Sequence, residues 1–202
     1  MASRIRDIEK DDAKYVELCR QGNTGAFEVL VERHQKRMLN IAFRMTGDYD
    51  EACDVVQESF LSAFKAIKGF RGDALFSTWL CGIVMNHARN RLKQVKSRSR
   101  FESASVEDME QMKEGCRAEG ACTDGESAID RLEREELEAG VQKCISALDG
   151  EQREVLVLRD IQGFTYDEIR DTLHIPDGTV KSRLFRARDT LKDRLKDVFG
   201  EL

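Results

Sequence analysis

Proline is almost absent: Pro176 is the only one in 202 residues. A chain with so few helix breakers, rich in Leu, Ala, Glu, Arg and Lys, is expected to be all-α. No apolar run approaches the roughly 20 residues that span a bilayer. Met1 to Lys10 is polar and mixed in charge, unlike a signal peptide, so the expected location is cytoplasmic. The six cysteines contain no CxxC pair and the three histidines lie far apart, at 34, 87 and 174, so zinc spacing is missing. HExxH, P-loop and GxSxG signatures are missing too. The adjacent Glu107 and Asp108 lie in a polar stretch, with no apolar pocket to shift their pKa. No catalytic residue, metal or cofactor is therefore expected, and an enzyme is disfavoured.

A net charge of −5, taken alone, opposes a nucleic-acid partner, but its distribution does not. Between Asn86 and Arg100 the chain carries Arg89, Arg91, Lys93, Lys96, Arg98 and Arg100 and no acid. From Phe101 to Glu136 twelve acids face Lys113, Arg117, Arg131 and Arg134, a balance of −8. From Gly178 to Lys196 seven basic residues face Asp189 and Asp193, a balance of +5. Two basic surfaces thus flank an acidic bridge.

Helical periodicity fills the first hundred residues. A short amphipathic helix is expected over 11–20, stopped by Gly22 and Asn23, and a second from Thr24 to Thr46, capped by Gly47. A third covers Tyr49 to Lys68 with Ala52, Val56, Phe60, Ala63, Phe64 and Ile67 on one face. After the loop 69–73, a fourth helix runs from about Ala74 or Phe76 to Lys96. Residues 97–127, acidic and without apolar period, read as a flexible linker. Periodicity resumes at Ala128 with Ile129, Leu132, Leu137, Val141, Ile145 and Leu148, and a further helix is expected over 151–160 with Val155, Leu156 and Leu158 inward. Cys53, Cys81 and Cys144 sit in apolar helical stretches as small hydrophobes. Cys116 and Cys122, in the linker, are placed where redox or metal chemistry is open to them.

The sharpest local signal lies between Gly163 and Arg186. Thr165 with Glu168 forms a capping box for a short helix ending by Leu173. A turn from His174 to Gly178 holds the proline, and Thr179 opens a second helix with Val180, Leu184, Ala187 and Leu191 inward. Two helices across a tight turn, the second basic, describe a helix-turn-helix. Thr179, Lys181, Ser182, Arg183, Phe185 and Arg186 are its candidates for reading duplex DNA in the major groove. A second signal is aromatic. Phe70, Phe76 and Trp79 lie beside Arg71 and ahead of the basic run, the pairing that melted DNA requires for stacking and backbone attraction. Their spacing with Leu80 and Ile83 also fits core packing, and both readings stay open.

Five motifs in order, Ala26-Phe27-Glu28-Val29-Leu30-Val31, Asp54-Val55-Val56-Gln57-Glu58-Ser59-Phe60, Phe70-Arg71-Gly72-Asp73, Thr78-Trp79-Leu80 and Gly178-Thr179-Val180-Lys181-Ser182-Arg183, resemble those of the extracytoplasmic-function (ECF) sigma factors, group 4 of the sigma-70 family. The resemblance covers roughly 11–198 and leaves the linker unmatched. It implies two small helical domains, a region 2 bundle over 1–97 and a region 4 helix-turn-helix domain over 128–202, joined by a flexible acidic linker over 98–127. The first would dock on a coiled coil of the polymerase largest subunit through Asp54, Gln57 and Glu58. The loop and helix that follow would melt the minus-10 element and hold its single strand with Phe70, Arg71, Asp73, Phe76, Trp79, Asn86, Arg89 and Asn90. The second would read the double-stranded minus-35 element through the helix opening at Thr179. The linker would thread toward the active-site channel and RNA exit path. The implied partners are core RNA polymerase, promoter DNA and an anti-sigma factor, in a stress or environmental response. A plain two-domain transcription regulator would share the helix-turn-helix without needing the aromatic set; dependence on polymerase separates the two.

Overall fold

The computed structural model describes the backbone of residues 2–102 and 128–200 and the side chains of 11–98 and 130–200. Among the described residues there are eight α-helices and no strand, in agreement with the all-α expectation. Cys116, Cys122 and the acidic stretch around them lie outside the described residues.

The first four helices are α1 (Ala2–Arg20), α2 (Thr24–Thr46), α3 (Tyr49–Ala66) and α4 (Phe76–Glu102). α1 starts well before residue 11, because nothing between Ala2 and Lys10 breaks a helix. α2 has the expected bounds. Asn23 caps it by accepting from the Ala26 N–H at 3.2 Å, and Gly47 ends it in the left-handed conformation at φ 79°. α3 ends at Ala66, and the last residues expected of it, Ile67 and Lys68, tighten into a 3₁₀ turn. Its face is also corrected: Val55 and Ser59 are buried, whereas Phe64 is 42% exposed and lies edge-on against Phe27. α4 runs past Lys96 into the span assigned to the linker, since no Gly or Pro lies between Lys96 and Glu102 to stop it. Leu30, Met38, Ile41, Met45, Leu80 and Met85 are fully buried where α2, α3 and α4 meet. Each such side chain contributes roughly 1.5–3 kcal/mol.

The second set comprises α5 (Ala128–Ser146), α6 (Gly150–Leu156), α7 (Tyr166–Leu173) and α8 (Asp177–Phe199). On α5, Leu132 and Leu137 are 55% and 51% exposed, against the inward position expected. Periodicity selects a face of a helix but not how much of its length meets a partner, and here only the C-terminal part, from Gly140 on, packs against α2 and α8. The helix expected over 151–160 is α6 continued by a π-helical turn over Val157–Ile161, in which the Gln162 N–H reaches the Val157 carbonyl. Every residue from Arg153 to Leu158 is buried, so this segment is enclosed on all sides. The two sets share one continuous apolar core, with α6 and the π turn against α8 and α2, and α7 against α4.

Candidate nucleic-acid interface

The helix-turn-helix forms as its sequence requires. Thr165 Oγ1 accepts from the Glu168 N–H at 3.2 Å while the Thr165 N–H donates to Glu168 Oε2 at 2.7 Å, the reciprocal capping box. His174, at φ 55°, turns the chain out of α7. α8 begins at Asp177, two positions before the expected Thr179, because Pro176 presets the N-cap and its carbonyl accepts from Thr179 and Val180. Arg170, which sequence reasoning passed over, reaches Asp167 and Asp171 at 2.8 and 3.0 Å and Asp177 at 3.6 Å, tying the start of α8 to α7.

Val180, Leu184 and Ala187 are buried, and Leu191 packs at the margin. The opposite face presents Lys181, Ser182 and Arg186, all exposed, and Phe185, 74% exposed. Thr179 is half-buried at the helix start. Leaving an aromatic ring of this size in water has no packing benefit, and an open basic surface around it has the chemistry for groove contacts. Arg183 and Arg188 differ from the rest. Arg183 pairs with Glu151 on α6 at 2.6 Å, and Arg188 clamps Asp160 at 2.6 and 2.9 Å, so both are engaged within the chain.

Around the other basic surface, Phe70, Phe76 and Trp79 do gather. Phe70 lies 4.8 Å from Trp79 and 6.2 Å from Phe76, centroid to centroid. Phe70 and Phe76 are buried and Trp79 is half-buried, while Arg71 and Asp73 stand exposed on the loop beside them. Phe76 also lies 5.4 Å from His34, a buried imidazole whose Nε2 is 2.7 Å from Asp12 Oδ2. Asn86 and Asn90 are exposed along α4, one turn apart, and Arg89 lies between them.

On α3, Asp54, Gln57 and Glu58 form one exposed face, as i, i+3 and i+4 spacing dictates. Arg91 on α4 approaches Asp54 to 2.5 Å, and it also engages Glu51. His87 stands between Glu58 and Ser62, at 3.3 and 3.0 Å. The acidic face is therefore braced from behind by α4.

Comparison with known proteins decides what these surfaces belong to. Residues 30–98 match the Sigma-70 region 2 family and residues 139–191 the Sigma-70 region 4 family. The RNA polymerase sigma-H factor of Pseudomonas aeruginosa is 35% identical over 193 residues, covering 96% of this chain and 98% of that one. The chain belongs to the sigma-70 family as an ECF sigma factor. The ECF RNA polymerase sigma-E factor of Escherichia coli K12 is 35% identical over 187 residues, 93% of this chain and 95% of that protein. Among solved structures, CnrH in complex with the cytosolic domain of CnrY aligns with a TM-score of 0.65 and 26% identity, over 92% of this chain and 97% of that one. RpoE of Bartonella quintana, in complex with the anti-sigma factor NepR, shares the fold with a TM-score of 0.63 and 22% identity, over 84% of this chain and 96% of that one. A sigma factor lends core RNA polymerase its promoter specificity, and this chain is one.

In this sigma factor the region 2 match falls on α2 to α4 and the region 4 match on α5 to α8, so the shared core joins the two. Polar contacts the sequence does not signal line that junction. Arg153 on α6 donates to the carbonyl of Met45 at 2.5 Å, to that of Leu148 at 3.1 Å, and to that of Ser146. Burial lowers its pKa from the usual arginine value. Gln142 accepts from Arg44 at 2.9 Å, and Arg37 reaches the Gln162 carbonyl at 3.3 Å. Glu154, 4% exposed, receives the Arg89 guanidinium side-on at 2.7 and 2.9 Å, and this hydrogen bonding raises the Arg89 pKa. No helix of the described residues is long and apolar enough to cross a membrane, and none of their side chains cluster as a metal site.

Proposed function

We propose that the promoter contacts of this sigma factor divide between its two basic surfaces. Lys181, Ser182, Arg183, Phe185 and Arg186, with Thr179 at the helix start, read the minus-35 duplex. Arg71, Asp73, Asn86, Arg89 and Asn90 handle the melted minus-10 strand beside Trp79. A base stacks only on a ring with an open face, so Phe70 and Phe76, both buried, act here chiefly as the wall behind Trp79. Asp54, Gln57 and Glu58 meet core polymerase. The domain limits of 1–97 and 128–202, with a linker between, belong to the same proposal, as does work in the cytoplasm, where polymerase is found.

The observation that carries this reading is α8: three apolar residues seated in the core fix its rotation so that Lys181, Phe185 and Arg186 face solvent together. In run-off transcription with core polymerase, Lys181→Ala or Arg186→Ala lowers initiation while core binding persists. Asp54→Ala with Gln57→Ala does the reverse, weakening core binding first. Loss of core binding from the α8 changes would overturn the assignment.

Regulation by an anti-sigma factor belongs to this proposal as well. CnrH is held by the cytosolic domain of CnrY, and a groove of about 630 Å³ between α5 and α8 here has a fitting character. Val141, Ile145, Leu191 and Leu195 line it, and Arg44, Lys192 and Lys196 stand around it beside the Arg188–Asp160 pair, a net basic rim that suits an acidic amphipathic segment. Co-purification from cells that yields polymerase and never an inhibitor would count against regulation of this kind.

A further inference from the structure

A line of side-chain contacts runs from α1 to the aromatic set. Asp12 of α1 and His34 of α2 are 1% and 4% exposed. His34 Nε2 donates to Asp12 Oδ2 at 2.7 Å, and Arg33 Nη1 donates to Asp12 Oδ1 at 3.1 Å, so both carboxylate oxygens are occupied. The His34 ring lies 5.4 Å from Phe76, and Phe76 lies 5.7 Å from Trp79, centroid to centroid. Both separations fall within the range of roughly 4.5–7 Å at which aromatic rings interact.

Simple adhesion of α1 to α2 does not call for such a line. Burying a carboxylate and an imidazole is costly, and well-packed apolar residues of similar volume would join the helices at least as firmly. A hydrogen-bonded imidazole supplies something an apolar side chain does not, a fixed ring plane. The outer torsion of a histidine is broad, and the bond to Asp12 selects one setting of it. Phe76 packs against that setting. Trp79 packs against Phe76 in turn and, with Phe70 and Phe76 buried, is the ring of the set that keeps an open face.

We infer that Asp12 and His34 are positioning residues for promoter melting: through Phe76 they set the plane of Trp79, on which a base of the melted minus-10 strand stacks. This inference rests on the reading of Trp79 made above. Neither residue touches DNA. Their work is done before the base arrives, because a ring already held in place has less freedom to lose on binding. α1, which carries no residue of either basic surface, thereby becomes part of the melting machinery.

The test uses the full-length chain. With core polymerase, it reads the permanganate reactivity of minus-10 thymines and, by titration, core affinity. On the free chain it reads the near-ultraviolet circular dichroism of Trp79, the only tryptophan in the sequence. His34→Gln keeps a donor toward Asp12 but loses the ring, and Asp12→Ala keeps the ring but frees it. Each should lower thymine reactivity about fivefold, the worth of one aromatic contact, alter the Trp79 band and leave core affinity unchanged. Asp12→Asn, which still offers the imidazole a hydrogen bond, should recover most of the loss. Cys19→Ala weakens the packing of the same helix two turns from Asp12 and should melt the promoter normally, even where its urea midpoint falls as far as that of His34→Gln. Should Asp12→Ala fail to fold, His34→Gln carries the test alone. Normal melting by the folded variants, or a loss in Cys19→Ala as large as theirs, would overturn the inference. Normal melting by Trp79→Ala would overturn the reading of Trp79 itself, whereas a defect in Trp79→Ala with none in His34→Gln would overturn only the positioning role.

Discussion

The guanidinium of Arg153, on α6 of region 4, donates to the carbonyl of Met45 at the last turn of α2 in region 2. The same group donates to Ser146 and Leu148 where α5 ends. A single buried cation therefore satisfies carbonyls left open at two helix C-termini, and its charge complements the negative ends of both. Arg153→Met keeps most of the side-chain volume and leaves those carbonyls unpaired. The expected cost is on the order of 3 kcal/mol, read as a lower midpoint in urea unfolding. A midpoint within error of the unmodified chain would show that the junction does not depend on this group.

Gly47 meets region 4 at close range. Its φ of 79° disfavours any Cβ, and a Cβ placed there would lie 2.7 Å from Ser146 Oγ. Gly47→Ala should lose about 1–2 kcal/mol from backbone strain and crowding together. Adding Ser146→Gly should return only the crowding part, so partial recovery in thermal melts is the expected pattern.

Thr165→Ala removes the N-cap of α7 and should cost about 1 kcal/mol. For a chain of this length that lowers the melting temperature by about 3 °C, whereas Thr165→Ser should be near neutral. Equal losses for both would show that the methyl group, not the hydroxyl, matters.

The thiol of Cys81 is wholly buried, and desolvation pushes its pKa up to about 12. Almost none of it is thiolate near pH 8, so iodoacetamide should leave Cys81 unmodified in the native chain and label it only after unfolding. Cys53, half-buried on α3, should react sooner. Peptide mass spectrometry over a time course gives the order.

Much of this architecture is legible in the sequence, and the reasons are local. Asn23 and Gly47 bracket α2, and Thr165 with Glu168 announces α7, because caps are chemistry of neighbouring residues. The spacing of Val180, Leu184 and Ala187 sets which side of α8 faces out. What is not legible depends on residues far apart in the chain. Nothing in the sequence around Glu151, Arg153 and Glu154 marks a buried charge, yet Arg153 and Glu154 are buried, because their partners lie on α2 and α4. Leu132 and Leu137 fail in the opposite sense: their apolar period is real, but it extends beyond the part of α5 that finds a neighbour. Arg89 shows the same limit at the candidate site. Its place in a basic run suggests a free cation, and only the fold reveals the carboxylate already holding it.

The most direct test of the account is protection mapping on a promoter located by sequencing transcription start sites, with and without core polymerase. With core present, the chain should protect the minus-35 duplex and render minus-10 thymines reactive to permanganate. Alone, at the same concentration, it should do neither. Tight protection of the duplex by the free protein would contradict it.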